Sequence, residues 1–264
     1  PPRDLLVVAG LLMLLHVVGG TLFAWLWMNA EPGTSASLYP QQLFGADPAA
    51  LAYADQIGNE GFAARVVRRI LGFWNALQTQ IAGIPSTLAT MLLGVAFWRN
   101  GLLQGRWPVE RSLALAGRLA VIAVPVLAIF LAVDMAGGFD PATIGAVGLF
   151  WSIPFDLLLA IAYAALVMGL FGTRDTALRR RLAAVGRLSL SNYLLTSLTF
   201  ALLFYSWGFG LYGAFSRTGA FVMAFVPIAM MLVWSPLWLL RFRQGPFEWL
   251  WRGLARAKFA PLRR

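Results

Sequence analysis

The run LLVVAGLLMLLHVVGGTLFAWLWM, residues 5–28, carries a single ionisable side chain, His16, in 24 positions. A helix needs about 20 mainly apolar residues to cross the hydrocarbon of a bilayer, so this run reads as a membrane span. Five further stretches come after it, at roughly 78–98, 112–133, 143–171, 185–206 and 219–240. Gln78, Gln80, Pro85, Ser86, Thr87 and Thr90 dilute the second of the six, and the fourth is long enough to tilt or to break near Pro154. The expected fold is all-α: a polytopic transmembrane helix bundle of about six spans, forming a single membrane domain over residues 1–264.

Composition agrees. The chain is 59% hydrophobic and 12% charged, with a mean hydropathy of +0.72, against about 45–50% and about 25% in soluble domains. The net charge of +10 raises nucleic acid as a partner, but these cations sit between or after apolar runs rather than in a stripe on a soluble face, and nucleic acid is set aside. With no Cys and one His, disulfides, a thiolate nucleophile, Fe–S ligation and a His-based metal cluster are not expected, and neither is a cofactor. The chain opens Pro-Pro-Arg-Asp directly before an apolar run, without a signal-peptide pattern. It reads as the C-terminal part of a longer chain, whose partners would be membrane lipids and an N-terminal membrane half or partner helices.

Lys and Arg are retained in cytoplasmic loops. Arg3, then Arg99, Arg106 and Arg111, then Arg174, Arg179, Arg180, Arg181 and Arg187, and finally the cations after span six fall on one side; the other side has only Arg65, Arg68, Arg69 and Arg217. The expected location is a bacterial inner membrane, with both ends of this chain cytoplasmic. Residues 242–264 then form a cytoplasmic interfacial tail. In a helix over 246–258, Phe247, Leu250, Trp251 and Leu254 share one stripe, and Glu248, Arg252 and Arg256 another, as in helices that lie at headgroup depth. Glu248 and Arg252 are spaced as an i,i+4 pair worth about 0.2–0.5 kcal/mol.

The loop over residues 29–77 lies on the outer side in this scheme. Its first part, EPGTSASLYPQQLFGADP, is rich in turn formers and is expected to be irregular. After Gly61, Phe62, Val66, Ile70, Phe73, Leu77 and Ile81 recur at helical spacing, predicting an outer-surface amphipathic helix that runs into span two. Arg65, Arg68 and Arg69 on that helix oppose the charge bias. They are candidates for contact with an anionic substrate, the alternative being simple headgroup contact.

Ionisable groups inside spans are costly and mark function by default. Asp156, near the middle of span four, and His16, halfway along span one, are the catalytic candidates, as relay or general base; each has a structural alternative as a buried polar partner. No Ser-His-Asp spacing, phosphate loop or metal motif is present.

Three motifs, ATMLLGVAFWRNGLL at 89–103, GRLSLSNYLLTS at 186–197 and RFRQGPFEWLWR at 241–252, resemble the YeiB-like family of bacterial inner-membrane proteins, whose C-terminal region is a domain of unknown function, number 418. The resemblance covers most of the chain and is strongest from Gly186 to Arg252. It implies a further N-terminal membrane half, and it marks Gly186, Arg187, Asn192, Tyr193, Gly245, Pro246, Glu248, Trp249 and Arg252. In architecture the family is distantly similar to multi-span membrane acyltransferases. Arg187, Asn192, Tyr193, Glu248 and Arg252 are therefore candidates for binding the phosphate of an acyl donor, with a lock on the terminal helix as the structural alternative. The functional expectation is acyl-group transfer to an envelope lipid or glycan. Its rivals are a transporter or exporter of a small amphiphilic molecule and a non-catalytic membrane assembly factor.

Overall fold

The computed structural model describes residues 2–171 and 175–263, with Pro2 and Arg217 by backbone alone. Arg174, Arg264 and the Arg217 side chain, which enter the charge count for orientation, lie outside the described residues. Along the chain run α1 (Pro2–Met28), α2 (Ser35–Phe44), α3 (Pro48–Asn59), α4 (Phe62–Leu71), α5 (Phe73–Ala82), α6 (Ile84–Arg99), α7 (Val109–Ala136), α8 (Pro141–Ala146), a π-helical turn (Val147–Trp151), α9 (Ile153–Phe171), α10 (Ala177–Arg187), α11 (Ser189–Phe204), α12 (Arg217–Met223), α13 (Phe225–Arg241) and α14 (Pro246–Ala255). Extended pairing among the described residues is limited to one bridge, Phe242 with Arg263. The fold is all-α.

Among the described residues, four helical stretches are long and apolar enough to cross a membrane: Arg3–Met28, Val109–Ala136, Ile153–Phe171 and Thr218–Arg241. A fifth exists if α5 and α6, bent by 50° at their junction, count as one span. That junction is Gly83, with Pro85 in the first turn of α6, where the missing N–H removes a donor that would have tied the two helices together. The stretch 185–206 is divided: α10 closes at Arg187, Leu188 leaves helical geometry, and α11 has only 16 residues. Span four is likewise interrupted, by the π-helical turn, before α9 begins at Ile153.

The outer-loop expectation needs correction, because residues 35–44, within the stretch expected to be irregular, are helical, and a second helix follows over residues 48–59. Residues read as turn formers are helix starts. Thr34 Oγ1 accepts the Ser37 N–H, and Asp47 Oδ1 accepts the N–H groups of Ala49 and Ala50, both at 2.9 Å. Pro48, next after Asp47, suits a first helical position, where its missing N–H costs nothing. The predicted amphipathic helix forms, but Gly72 divides it into α4 and α5.

The chain is built as two compact units. The first comprises Pro1–Ala52 and Ile70–Thr173, the second Tyr53–Arg69 and Arg174–Arg264. In the first, α7 packs along α9 and α1 along α6. Apart from His16 on α1, their buried residues are small: Ser112, Ala116 and Ala123 on α7, Ala162, Ala165 and Gly169 on α9, Ala9 and Ala24 on α1, and Ala89 and Ala96 on α6. A Cβ on Gly169 would sit 3.0 Å from Leu113 Cδ2. Large apolar side chains point outward instead, with Val121 74% and Leu22 63% exposed. This inversion of a water-soluble core is what lipid permits: tails solvate Leu and Val as well as protein does, so helices gain most from close backbone approach through small residues. The protein is an integral membrane protein.

Candidate functional site

In the second unit, α10 packs on α13, and α11 contacts α14, α13 and α10. The N-terminal end of α11 brings two of the sequence motifs together. Glu248, in the first turn of α14, turns inward and is buried. Its Oε1 accepts the Ser191 N–H at 3.0 Å, and its Oε2 accepts the Ser191 hydroxyl. Ser191 Oγ in turn accepts the Phe247 N–H at 3.2 Å. One carboxylate thus caps a neighbouring helix, where free N–H groups and the helix dipole favour negative charge. Gly245 is dictated by space: a Cβ there would collide with Glu248 Oε2, Ser191 Oγ and Leu188 Cδ2.

Asn192 lies one residue along and is 3% exposed. Its Nδ2 donates to Val185 O at 3.0 Å and to Ser235 Oγ at 3.2 Å, and its Oδ1 accepts Trp234 Nε1 at 2.8 Å. The amide therefore pins α10, α11 and α13 to one another. Trp238 Nε1 donates to Gln244 O at 3.0 Å and fixes the turn into α14.

The basic residues of the two motifs occupy the outside of this knot. Arg187 is exposed and donates one bond, from Nη2 to Arg243 O at 3.1 Å; Arg252 is exposed and donates one, from Nη1 to Gln244 Oε1 at 3.1 Å. A guanidinium has five N–H donors, so both retain donors for an anion. Arg241 and Arg243 are exposed beside them along the chain. Tyr193 is 70% exposed and takes no part in the knot. Glu248 does not pair with Arg252, contrary to the i,i+4 expectation, because Ser191 has claimed its carboxylate. The apolar stripe of α14 stays outward as expected, with Trp251 67% and Leu254 63% exposed.

The knot also uses Ser191, Ser235, Trp234 and Gln244, which sequence reading did not single out. Ser235 had a signal: a hydroxyl beside Pro236 in an otherwise apolar span, where a polar group needs a partner.

The candidates in the first unit are engaged locally. His16 Nε2 donates to Leu149 O in the π-helical turn at 3.0 Å, and Trp151 Nε1 from the same turn donates to Thr21 Oγ1 at 3.1 Å. Asp156 is not at mid-helix: it lies in the first turn of α9, exposed, and its Oδ2 accepts the Ser152 hydroxyl at 2.7 Å. No hydrogen bond or ion pair joins His16 to Asp156 among the described residues.

The three arginines of α4 separate into different roles. Arg65 is buried, donates to Ile57 O at 2.7 Å and lies 3.6 Å over the Tyr205 ring. Arg68 holds both oxygens of Glu60 through Nε, at 3.0 and 3.1 Å. Its hydrogen bond, ahead of the positive charges of Arg68, Arg65 and Arg69, keeps the Glu60 carboxyl below the usual carboxylate range. Arg69 is exposed and makes no hydrogen bond or ion pair with any described residue. Nor do three or more His, Asp or Glu side chains group as metal ligands among the described residues.

Fold and site together define a polytopic helical membrane protein with a buried polar knot at one end of its second unit. The family model described as a protein of unknown function, DUF418, matches residues 96–258, and this chain belongs to that family. It is 33% identical over 258 residues to uncharacterized protein YeiB of Escherichia coli strain K12, an alignment that covers 94% of this chain and 60% of YeiB. It is also 38% identical over 90 residues to uncharacterized protein YxaH of Bacillus subtilis strain 168, covering 34% of this chain and 22% of YxaH. The chain thus spans at most 60% of the length of these relatives. No solved structure matches it.

Proposed function

We propose that the protein, set in a bacterial inner membrane with both ends of this chain cytoplasmic, transfers an acyl group to an envelope lipid or glycan. The reading rests on one observation: Arg187 and Arg252 lie exposed outside the Glu248–Ser191–Asn192 knot, each donating one hydrogen bond, to Arg243 O and to Gln244 Oε1, and each keeps unused donors. Cations fixed by a rigid support suit a phosphate or diphosphate, which two guanidinium groups bind with planar, charge-assisted hydrogen bonds. Such contacts orient a donor and offset its charge. Asn192 and Glu248 support them without touching the donor, and the general base would come from an N-terminal membrane half or from partner helices.

The test is mass spectrometry of envelope lipids and glycans from cells lacking the gene, complemented with it, or complemented with an Arg187→Ala, Arg252→Ala double variant. A mass difference of one acyl group, restored by the intact gene and not by the variant, supports the reading; no acyl difference in any fraction removes it.

A second reading, transport of a small amphiphile, draws on the π-helical turn at Val147–Trp151, held by His16 and followed, in the first turn of α9, by exposed Asp156. Such turns occur frequently at functional sites, and broken helices beside ionisable groups suit coupling-ion sites. Loss of proton-coupled uptake or efflux in Asp156→Asn would favour it; unchanged flux would count against it.

A further inference from the structure

The opposite end of α11 carries a cavity of about 670 Å³, lined within the second unit by Phe200, Phe204, Tyr212, Phe215 and small residues such as Ala201, with Arg69 in its wall. We infer that this cavity is a binding site for a single-chain anionic amphiphile, an acyl chain ending in a carboxylate or phosphate, with Arg69 as the headgroup contact.

The lining is braced before any ligand arrives. Phe200 stacks on Phe204 with centroids 6.0 Å apart, and Phe204 meets Phe215 edge-on at 6.3 Å. The segment after α11 folds back onto that helix's last turn: Phe209 N donates to Leu202 O at 2.7 Å, Leu211 N to Leu203 O at 3.0 Å, and Tyr212 N to Phe204 O at 3.1 Å. Gly208 permits this approach, since a Cβ there would collide with Leu202 O. Tyr212 packs on Gly58, where a Cβ would strike its ring. The cavity wall is therefore tied to the segment that leads into α4.

Charge selects the ligand. Glu60 is taken up by Arg68 and approached by Arg65 Nε at 3.5 Å, so that Arg69, whose charge acts on Glu60 only from a distance, has no carboxylate in hydrogen-bond or ion-pair contact among the described residues. A guanidinium beside an aromatic cavity offers bidentate hydrogen bonding to one planar or tetrahedral anion, while the rings remove a chain from water or from the lipid. The volume lies within the range of about 300–1,000 Å³ that holds a molecule of this size. Of the three α4 arginines, only Arg69 has this role; Arg65 and Arg68 hold the wall.

This site is independent of the acyl-transfer reading. It lies at the far end of α11 from Arg187 and Arg252, and its occupancy is measured without a transfer assay. The full chain, in bilayers of neutral phosphatidylcholine, is titrated with 11-(dansylamino)undecanoic acid, and energy transfer from protein tryptophans is monitored against protein-free bilayers. Saturable transfer is expected, displaced by dodecyl phosphate and not by inorganic phosphate, with the methyl ester of the probe bound about 10-fold or more weakly. Arg69→Gln should weaken the acid by a similar factor, Arg69→Lys should restore most of it, and Ala201→Phe should block the cavity with Arg69 intact. The ranking of the carboxylate against dodecyl phosphate then tells whether a fatty acid or a phosphorylated lipid is the better fit. Non-saturable transfer, equal binding of the methyl ester, displacement by inorganic phosphate, unchanged binding by Arg69→Gln, or unchanged binding by Ala201→Phe would each overturn the assignment.

Discussion

Glu248 shows how one side chain can decide the register of several elements. Its two oxygens satisfy the N–H and hydroxyl of Ser191, so Glu248→Ala leaves a buried N–H and a buried hydroxyl without their acceptor. Unsatisfied buried groups cost about 1–3 kcal/mol each. We expect Glu248→Ala to lower the thermal midpoint in detergent, by several degrees in a near-ultraviolet circular dichroism melt, and Ser191→Ala to remove part of the same stabilisation. Strictly additive losses in the double variant would mean that the two residues do not interact. Glu60 makes a second residue-scale case, with a pH signature. Its carboxyl is held below the usual range by the Arg68 hydrogen bond first and by the neighbouring arginine charges next. The stabilisation is therefore fully present above the unfolded value of about 4.3 and is lost as pH falls through the lower folded value. Glu60→Gln should flatten the acid limb of the stability profile and leave the region near neutrality with the same slope; an unaltered acid limb would contradict the assigned pairing.

At the scale of elements, the α7–α9 contact depends on small residues in place of large ones. Ala123 and Ala165 are both 0% exposed, and a branched side chain at either must separate the helices. Overpacking of this kind costs about 1–3 kcal/mol, so Ala165→Leu should reduce the fraction of protein that stays monodisperse on heating in detergent, while Val121→Leu on the lipid-facing side of α7 should not. Equal tolerance of both changes would show that the buried alanines do not set the interhelical distance. Helix ends obey the same logic. Asp47 and Pro48 looked like loop residues because their types favour turns, yet the same chemistry starts helices, and only the apolar content of the next dozen or so residues separates the two uses.

For the whole molecule, orientation is open to direct measurement, because the chain has no native Cys and single cysteines can be placed without background. With both ends cytoplasmic, a Cys at Ala255 should be protected from a membrane-impermeant maleimide in intact spheroplasts and react after permeabilisation, whereas a Cys at Ala49 should react in both. The reverse pattern would invert the assignment and would place Arg187 and Arg252 on the wrong side for a cytoplasmic donor. Composition and apolar run length by themselves determined that the chain is helical and lies in a membrane, because about 20 apolar residues have few other stable solvents. The motif residues around Gly186 and Gly245 likewise marked the region that forms the knot, although their roles were not legible. What only the tertiary structure decided was pairing: that Glu248 serves Ser191 rather than Arg252, that Asn192 joins three helices, that 185–206 is broken at Leu188, and that Arg69, unlike Arg65 and Arg68, makes no ion pair with a carboxylate among the described residues. The reason is physical. Burial of apolar length depends on local sequence, while the cost of an unpaired polar group is settled by whatever distant residue the fold brings within about 3 Å.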